Sequence, residues 1–156
     1  MLIRTAQAND IETLFNIRTS VVENHQSREE IAALGITTAS VAAMLRTDCR
    51  AWIAELDAQA IGFTIANKTE QTIVGLFVLP AHEGKGAGRR LIQAAEAWLW
   101  AAGLEEIWLL TGNNPDLRAY GFYRHLGWQP AEVLTDGPFA GEMKFIKGRP
   151  ARPPSN

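Results

Sequence analysis

Apolar residues recur along the chain with two periods, and the changes of period mark out its elements. Leu2-Ile3-Arg4-Thr5 opens as a short strand, and a helix starts at an Asn9 or Asp10 cap and runs to about Val22. Helical turns follow over Arg28 to Leu34 and Thr38 to Arg46. Ala51 to Leu56 and Ile61 to Asn67 are strands joined by a turn at Asp57-Ala58-Gln59, and Thr72 to Leu79 is the third strand of this meander. Pro80 ends it, because proline cannot donate to a ladder. Leu91, Ile92, Ala95, Trp98, Leu99 and Ala102 then return at helical spacing. A strand over Glu106 to Thr111, a helix around Tyr123, and strands at about Gln129 to Leu134 and Glu142 to Ile146 complete the order. The predicted fold is mixed α/β, an antiparallel meander passing into a crossover.

Composition narrows the class without choosing a function. The 156 residues form one domain, expected over 1–147, with a proline-rich tail over 148–156 expected to lack regular structure. Apolar and charged fractions of 47% and 21% are ordinary for a soluble globular protein. A formal net charge of −2 argues against a general nucleic-acid binder. The single Cys49 excludes an intrachain disulfide framework, and the three histidines are too scattered to suggest a zinc site, so no metal is expected. No apolar stretch is long enough to span a bilayer, and Met1-Leu2-Ile3-Arg4 has no signal-peptide profile. The expectation is a cytoplasmic protein with no membrane partner.

The chemistry concentrates in Glu83-Gly84-Lys85-Gly86-Ala87-Gly88-Arg89-Arg90, between the third meander strand and a long helix. Alternating glycines leave backbone N–H groups uncovered at the positive end of a helix, where an anion is favoured. Cations in a first helical turn oppose the helix dipole, so Lys85, Arg89 and Arg90 point to something negative beside them. A magnesium-dependent phosphate loop needs Ser or Thr after its lysine, and Gly86 follows Lys85. A dinucleotide fold needs Gly-x-Gly-x-x-Gly and a later carboxylate for the ribose, and neither is present. A pyrophosphate cradle for coenzyme A remains. Taken alone, the loop also reads as a tight strand-to-helix turn.

A second segment, Arg118-Ala119-Tyr120-Gly121-Phe122-Tyr123-Arg124-His125-Leu126-Gly127-Trp128, sharpens the reading. With the loop it resembles the GNAT superfamily of N-acetyltransferases, through Gly86, Gly88, Ala119, Phe122, Tyr123, Gly127 and Trp128. The likeness is strong over about residues 72 to 130. It implies a mostly antiparallel sheet of about six to seven strands, flanked by about four helices, with two central strands splayed into a V. It also implies acetyl-coenzyme A as cosubstrate, held by Phe77, Val78, Leu79, Lys85, Gly86, Ala87, Gly88, Arg89, Asn114 and Tyr123. One departure is Glu83, which stands where the family has Gln or Arg and should turn outward or pair with Lys85 or Arg89.

Acyl transfer from a thioester to an amine sets the remaining roles. Backbone N–H groups freed from ladder pairing near Phe77 to Leu79 would stabilise the oxyanion, each worth about 3 kcal/mol. Tyr123, by resemblance, is the general acid that meets the departing thiolate. The base is less determined: the strand before the loop holds no carboxylate, leaving His25, Glu23, Glu55 and Glu142. His25 titrates in the right range and is the first choice. Asn114 either contacts the pantetheine arm or simply makes a turn with Asn113 and Pro115. Trp52 and Phe77 are either core residues or an apolar floor. The acceptor wall falls within residues 20 to 50, where Ser20, Glu23, Asn24, His25, Arg28 and Glu29 show no charge preference. A primary amine of a small molecule or peptide is the expected acceptor, and exposed aromatics would permit a homodimer. The competing reading is a non-catalytic acyl-coenzyme A sensor or partner subunit.

Overall fold

The computed structural model describes residues 1–22 and 25–151. Seven strands form one sheet in the order β1-β2-β3-β4-β5-β7-β6. These are β1 (Leu2–Thr5), β2 (Cys49–Leu56), β3 (Gln59–Asn67), β4 (Thr72–Val78), β5 (Glu106–Thr111), β6 (Gln129–Val133) and β7 (Met143–Gly148). All pairings are antiparallel except β4 with β5. Five α-helices accompany them among the described residues: α1 (Ile11–Arg18), α2 (Arg28–Ala33), α3 (Thr38–Arg46), α4 (Ala87–Ala101) and α5 (Arg118–His125).

Alternation along β2 builds two cores. Trp52 and Ala54 pack with Leu91, Ile92, Ala95 and Leu99 of α4, whereas Ala51 and Ile53 join Leu14, Phe15 and Ile17 of α1 on the opposite face. Such a split needs a strand that is apolar on both sides, and Cys49–Leu56 is buried almost throughout. The hairpin between β2 and β3 turns at Asp57 and Ala58, both at positive φ, a two-residue connection that matches the sheet twist.

A bulge in β4 bears directly on function. Ile65 pairs with Gly75 but Ala66 pairs with Ile73, so Val74 is an extra residue. The bulge reverses which face alternate side chains address. Ile73 packs on the α4 face, and past the bulge Leu76 and Val78 take that face while Phe77 points to the α1 side.

Strand ends move by one or two residues, and two other sequence boundaries shift with a clear local cause. The first helix stops at Arg18 rather than near Val22, because Thr19 and Ser20 turn their hydroxyls back onto the carbonyls of Phe15 and Asn16. The tail expected from residue 148 is anchored at its start: Gly148 ends β7, and the Arg149 N–H donates to the Glu105 carbonyl at 2.8 Å. The rest of that tail beyond Ala151 lies outside the described residues. Among those described, no helix is long and apolar enough to cross a membrane.

Candidate active site

Strands β4 and β5 touch at one end only. Their register contains a single pair, Thr72 with Trp108, reinforced by the Thr72 hydroxyl donating to the Trp108 carbonyl at 2.7 Å. Beyond that pair they diverge, and a cavity of about 720 Å³ occupies the gap. Both strands line it, together with the start of α4, the start of α5, and α1 with the segment after it. The V expected from the family resemblance is therefore present, and it opens a passage between the two faces of the sheet.

The gap also determines which amides are available. Bonded and unbonded residue pairs alternate in an antiparallel ladder. The Leu79 N–H donates to the Ile61 carbonyl at 2.8 Å, and the register places Phe77 opposite Phe63 as the next bonded pair. The amides turned toward β5 are consequently those of Leu76 and Val78. Of the expected Phe77-to-Leu79 group, the Phe77 and Leu79 amides are turned to β3 and only that of Val78 is released; Leu79 does not line the cavity, while the side chains of Phe77 and Val78 do.

On the α4 face, the cavity meets a bare helix start. Gly84 and Gly86 adopt φ of 79° and 88°, the left-handed region that glycine enters without strain. Gly86 is the cap residue and no side chain caps the helix, so the Ala87, Gly88 and Arg89 amides have no helical partner. A Cβ on Gly86 would meet nothing within 4 Å, so open space lies beside this backbone. Gly86, Ala87, Gly88 and Arg89 line the cavity, and these residues fit a diphosphate.

The other expected cofactor contacts divide. Lys85 is not in the lining; its Nζ lies 3.2 Å from His82 Nδ1. Asn114 is also outside it, and its Oδ1 accepts the Asp116 N–H at 2.9 Å, which is the turn-forming alternative. Glu83 pairs neither with Lys85 nor with Arg89. It faces Arg118 at 3.9 Å, because the start of α5 comes close to the loop, a proximity that sequence separation concealed.

Tyr123 lines the cavity from α5, its ring packed among Phe122, Trp128 and Phe145. Burial pushes its hydroxyl well above the ordinary tyrosine range, so it remains a proton donor at any physiological pH. Trp52, by contrast, is a core residue stacked edge-on against Trp98 at 5.8 Å.

The α1 side brings Arg18, which the sequence did not single out, together with Glu142, one of its candidate bases. Arg18 lines the cavity with its guanidinium 4.3 Å over the Phe77 ring, and it donates to Gln26 Oε1 at 2.7 Å. Gly75 permits this stack, since a Cβ there would sit 2.6 Å from the Phe77 ring. Glu142 reaches the cavity from the segment before β7. Burial holds its carboxyl above the usual range, opposed by the nearby charge of Arg18. His25 is exposed and outside the lining, with Nδ1 2.9 Å from the Val21 carbonyl, to which it donates. Glu55 is engaged by Arg4 at 2.6 Å and does not line the cavity. Glu23 and Asn24 lie outside the described residues.

Solved structures with this fold share the whole architecture at low identity. PaiA N-acetyltransferase from Thermoplasma acidophilum, in complex with coenzyme A, superposes with a TM-score of 0.76 at 19% identity, covering 95% of this chain and 98% of its own. Ribosomal-protein-alanine N-acetyltransferase from Brucella melitensis gives 0.75 at 16%, covering 96% and 100%. An aminoglycoside 6'-acetyltransferase of type Ii gives 0.72 at 20%, covering 98% and 100%. These likenesses concern the fold. A sequence model of the acetyltransferase (GNAT) family matches residues 8–128, from the start of the first helix to Trp128. With the splayed strands, the bare helix start and the buried tyrosine in place, the chain belongs to the GNAT family of acetyltransferases, enzymes that use acetyl-coenzyme A.

Proposed function

We propose that this acetyltransferase moves the acetyl group to a primary amine of a small molecule or peptide by direct attack, with both substrates bound together. The observation that carries this is the continuity of one cavity from the α4 start to the α1 wall, through the gap between β4 and β5. A thioester entering from the glycine loop and an amine entering from the α1 side meet without a covalent enzyme relay.

The amine nitrogen forms a bond to the thioester carbonyl carbon, the carbon–sulfur bond breaks, and an amine proton ends on the released thiol. Amides of Leu76 and Val78, turned toward the gap, are suited to the oxyanion. Tyr123 faces the thiolate as a hydrogen-bond donor. Ordinary values near 10 for tyrosine and 8.5 for a thiol already make full transfer uphill by roughly 2 kcal/mol, and burial raises the hydroxyl further. Hydrogen bonding to the thiolate, with the proton supplied from the attacking amine, is the role its environment supports.

For the base, Glu142 has better support than His25. It lines the cavity and is partly desolvated, which moves a carboxylate toward the range useful at neutral pH. An alkyl ammonium is deprotonated in only about one molecule in a thousand at pH 7, so such a group matters. The test is thiol release from acetyl-coenzyme A across a panel of amines, alongside thermal stability with coenzyme A. Turnover together with stabilisation supports the reading. Stabilisation without acetylation of any amine, peptide or amino acid would make the protein a coenzyme A sensor instead.

A further inference from the structure

A carboxylate is out of place on the core face of a helix, yet Glu96 is buried on α4, on the face that also carries Ile92, Ala95 and Leu99. Its partner is Lys147 of β7, whose ammonium bonds both the Glu96 carboxylate and the Leu126 carbonyl, the latter at 2.9 Å. We infer that Glu96 and Lys147 are positioning residues for acetyl transfer: together they fix the end of α5 and so set where the Tyr123 hydroxyl sits in the cavity. This rests on the role given to Tyr123 above.

Tyr123 stands three residues before Leu126, on the last turn of a helix of only 8 residues. After it the chain closes in a Schellman arrangement. Gly127, at φ of 91°, donates its N–H to the Arg124 carbonyl at 3.2 Å, and the Trp128 N–H donates to the Tyr123 carbonyl at 3.0 Å. The Leu126 carbonyl lies at the negative end of the helix, where a cation is favoured. Lys147 takes that place, and its stem passes beside Gly127, with Cε 3.9 Å from where a Cβ would stand. Side chains two apart on a strand share a face. Phe145 therefore meets the Tyr123 ring from the same face on which Lys147 meets Leu126, so β7 seats α5 at two points. Glu96 steadies the cation from α4, the helix whose start adjoins the glycine loop.

Stability alone does not account for the pair. Apolar side chains of similar volume commonly hold such a place as well or better, whereas removing one partner leaves a buried charge uncompensated. An apolar pair would fill the space between α4 and β7, but the Leu126 carbonyl would lose its cation and α5 one point of attachment. No side-chain hydrogen bond caps the start of α5 to make up for it. A misplacement of about 1 Å can cost about 100-fold in rate. A clamp three residues from Tyr123 thus has a chemical consequence, although neither Glu96 nor Lys147 lines the cavity.

Exchanging both groups at once tests this without leaving a charge unpaired. The full chain carrying Glu96→Leu and Lys147→Met should melt at or above the wild-type temperature and bind coenzyme A with unchanged Kd. The chain has two tyrosines, so carbon-13 at the hydroxyl-bearing ring carbon gives two NMR signals, which Tyr123→Phe assigns. Saturating coenzyme A should move the Tyr123 signal of the wild type and move it distinctly less in the double variant. With the best amine of the panel, kcat should fall about tenfold in the double variant. Adding the double exchange to Tyr123→Phe should cost nothing further, because residues acting through one group are not additive. Lys147→Arg, which keeps a cation and a donor, should retain most of the rate. A wild-type Tyr123 signal and shift in the double variant overturns the assignment, as does full kcat or a loss that adds in full to that of Tyr123→Phe. A fall in Tm or in coenzyme A affinity that accounts for the lost rate makes the pair structural only, and overturns it too. If the double variant does not fold, Glu96→Gln with Lys147→Gln, which keeps the polar volume without the charges, is read by the same criteria. If no amine is acetylated, acetyl transfer falls and the tyrosine signal decides the positioning. If coenzyme A leaves the wild-type Tyr123 signal unmoved, the role of Tyr123 falls and this inference with it.

Discussion

The two halves of the cavity are built in different ways. The cofactor half is made of backbone on long elements: the 15-residue α4 with its uncapped start, and the unpaired edge of β4. The acceptor half is made of side chains on short helices of 8, 6 and 9 residues. Two of these helices are held at their starts by reciprocal caps, Ser27 with Glu30 and Thr37 with Ser40. Main-chain amides recognise what every member of a family binds, while side chains on short, capped helices can be replaced without disturbing the sheet. The contrast teaches where a conserved reaction ends and individual specificity begins.

The strongest way to break this comparison is Tyr123→Phe. Removing a proton donor of this kind should lower kcat by about 100-fold or more, equally for every acceptor, with the fold intact because the ring packing remains. Full turnover in rapid-mixing assays would remove Tyr123 from the reaction.

Glu142→Gln should lower kcat by about 10- to 100-fold, less than a fully enclosed base would, because water reaches this side. The sign of the pH effect is fixed. The carboxylate form is the base and its folded value is raised, so wild-type activity falls as pH drops through that raised value, and the variant should lose this limb. A raised carboxyl contributes stability below its unfolded value and loses it as pH rises through the folded one. The variant should therefore melt at the same or a higher temperature at neutral pH. Melting scans with pH–rate profiles separate these outcomes from simple unfolding.

Gly86→Val tests the backbone half. A β-branched residue at φ of 88° should cost about 1–3 kcal/mol of strain, seen as a lower Tm. Coenzyme A binding by calorimetry should weaken, while the ranking of acceptors stays the same. A change in acceptor ranking would show that the halves are not independent.

The smallest effect belongs to Ser27→Ala. Losing the cap of α2 should destabilise by about 1 kcal/mol and raise the acceptor KM a few-fold, with coenzyme A affinity unchanged. Equal losses for both substrates in steady-state kinetics would contradict the division.

Much of the cofactor half was legible in the chain because its signals are local. Alternating glycines between a strand and a helix announce a bare helix start wherever they occur, and Ala119, Phe122 and Tyr123 share a helix whose period is visible. Glu83 is exposed, as one of its two expected arrangements had it, but its facing partner Arg118 lies 35 positions away in the sequence, out of reach of local reading. Asn114 looked equally suited to a ligand or a turn, and a hydrogen bond two residues on was enough for the turn.

By itself, then, the sequence determined the order of elements, the glycine loop and the tyrosine helix, since period, capping and backbone freedom act between neighbours. Only the tertiary structure decided which β4 amides face the gap, because a single extra residue at Val74 and the divergence of β4 from β5 are relations between strands. The same holds for the meeting of Arg18, Phe77 and Glu142. These belong to three distant segments, and no pattern along a chain records which of its distant side chains will share one wall.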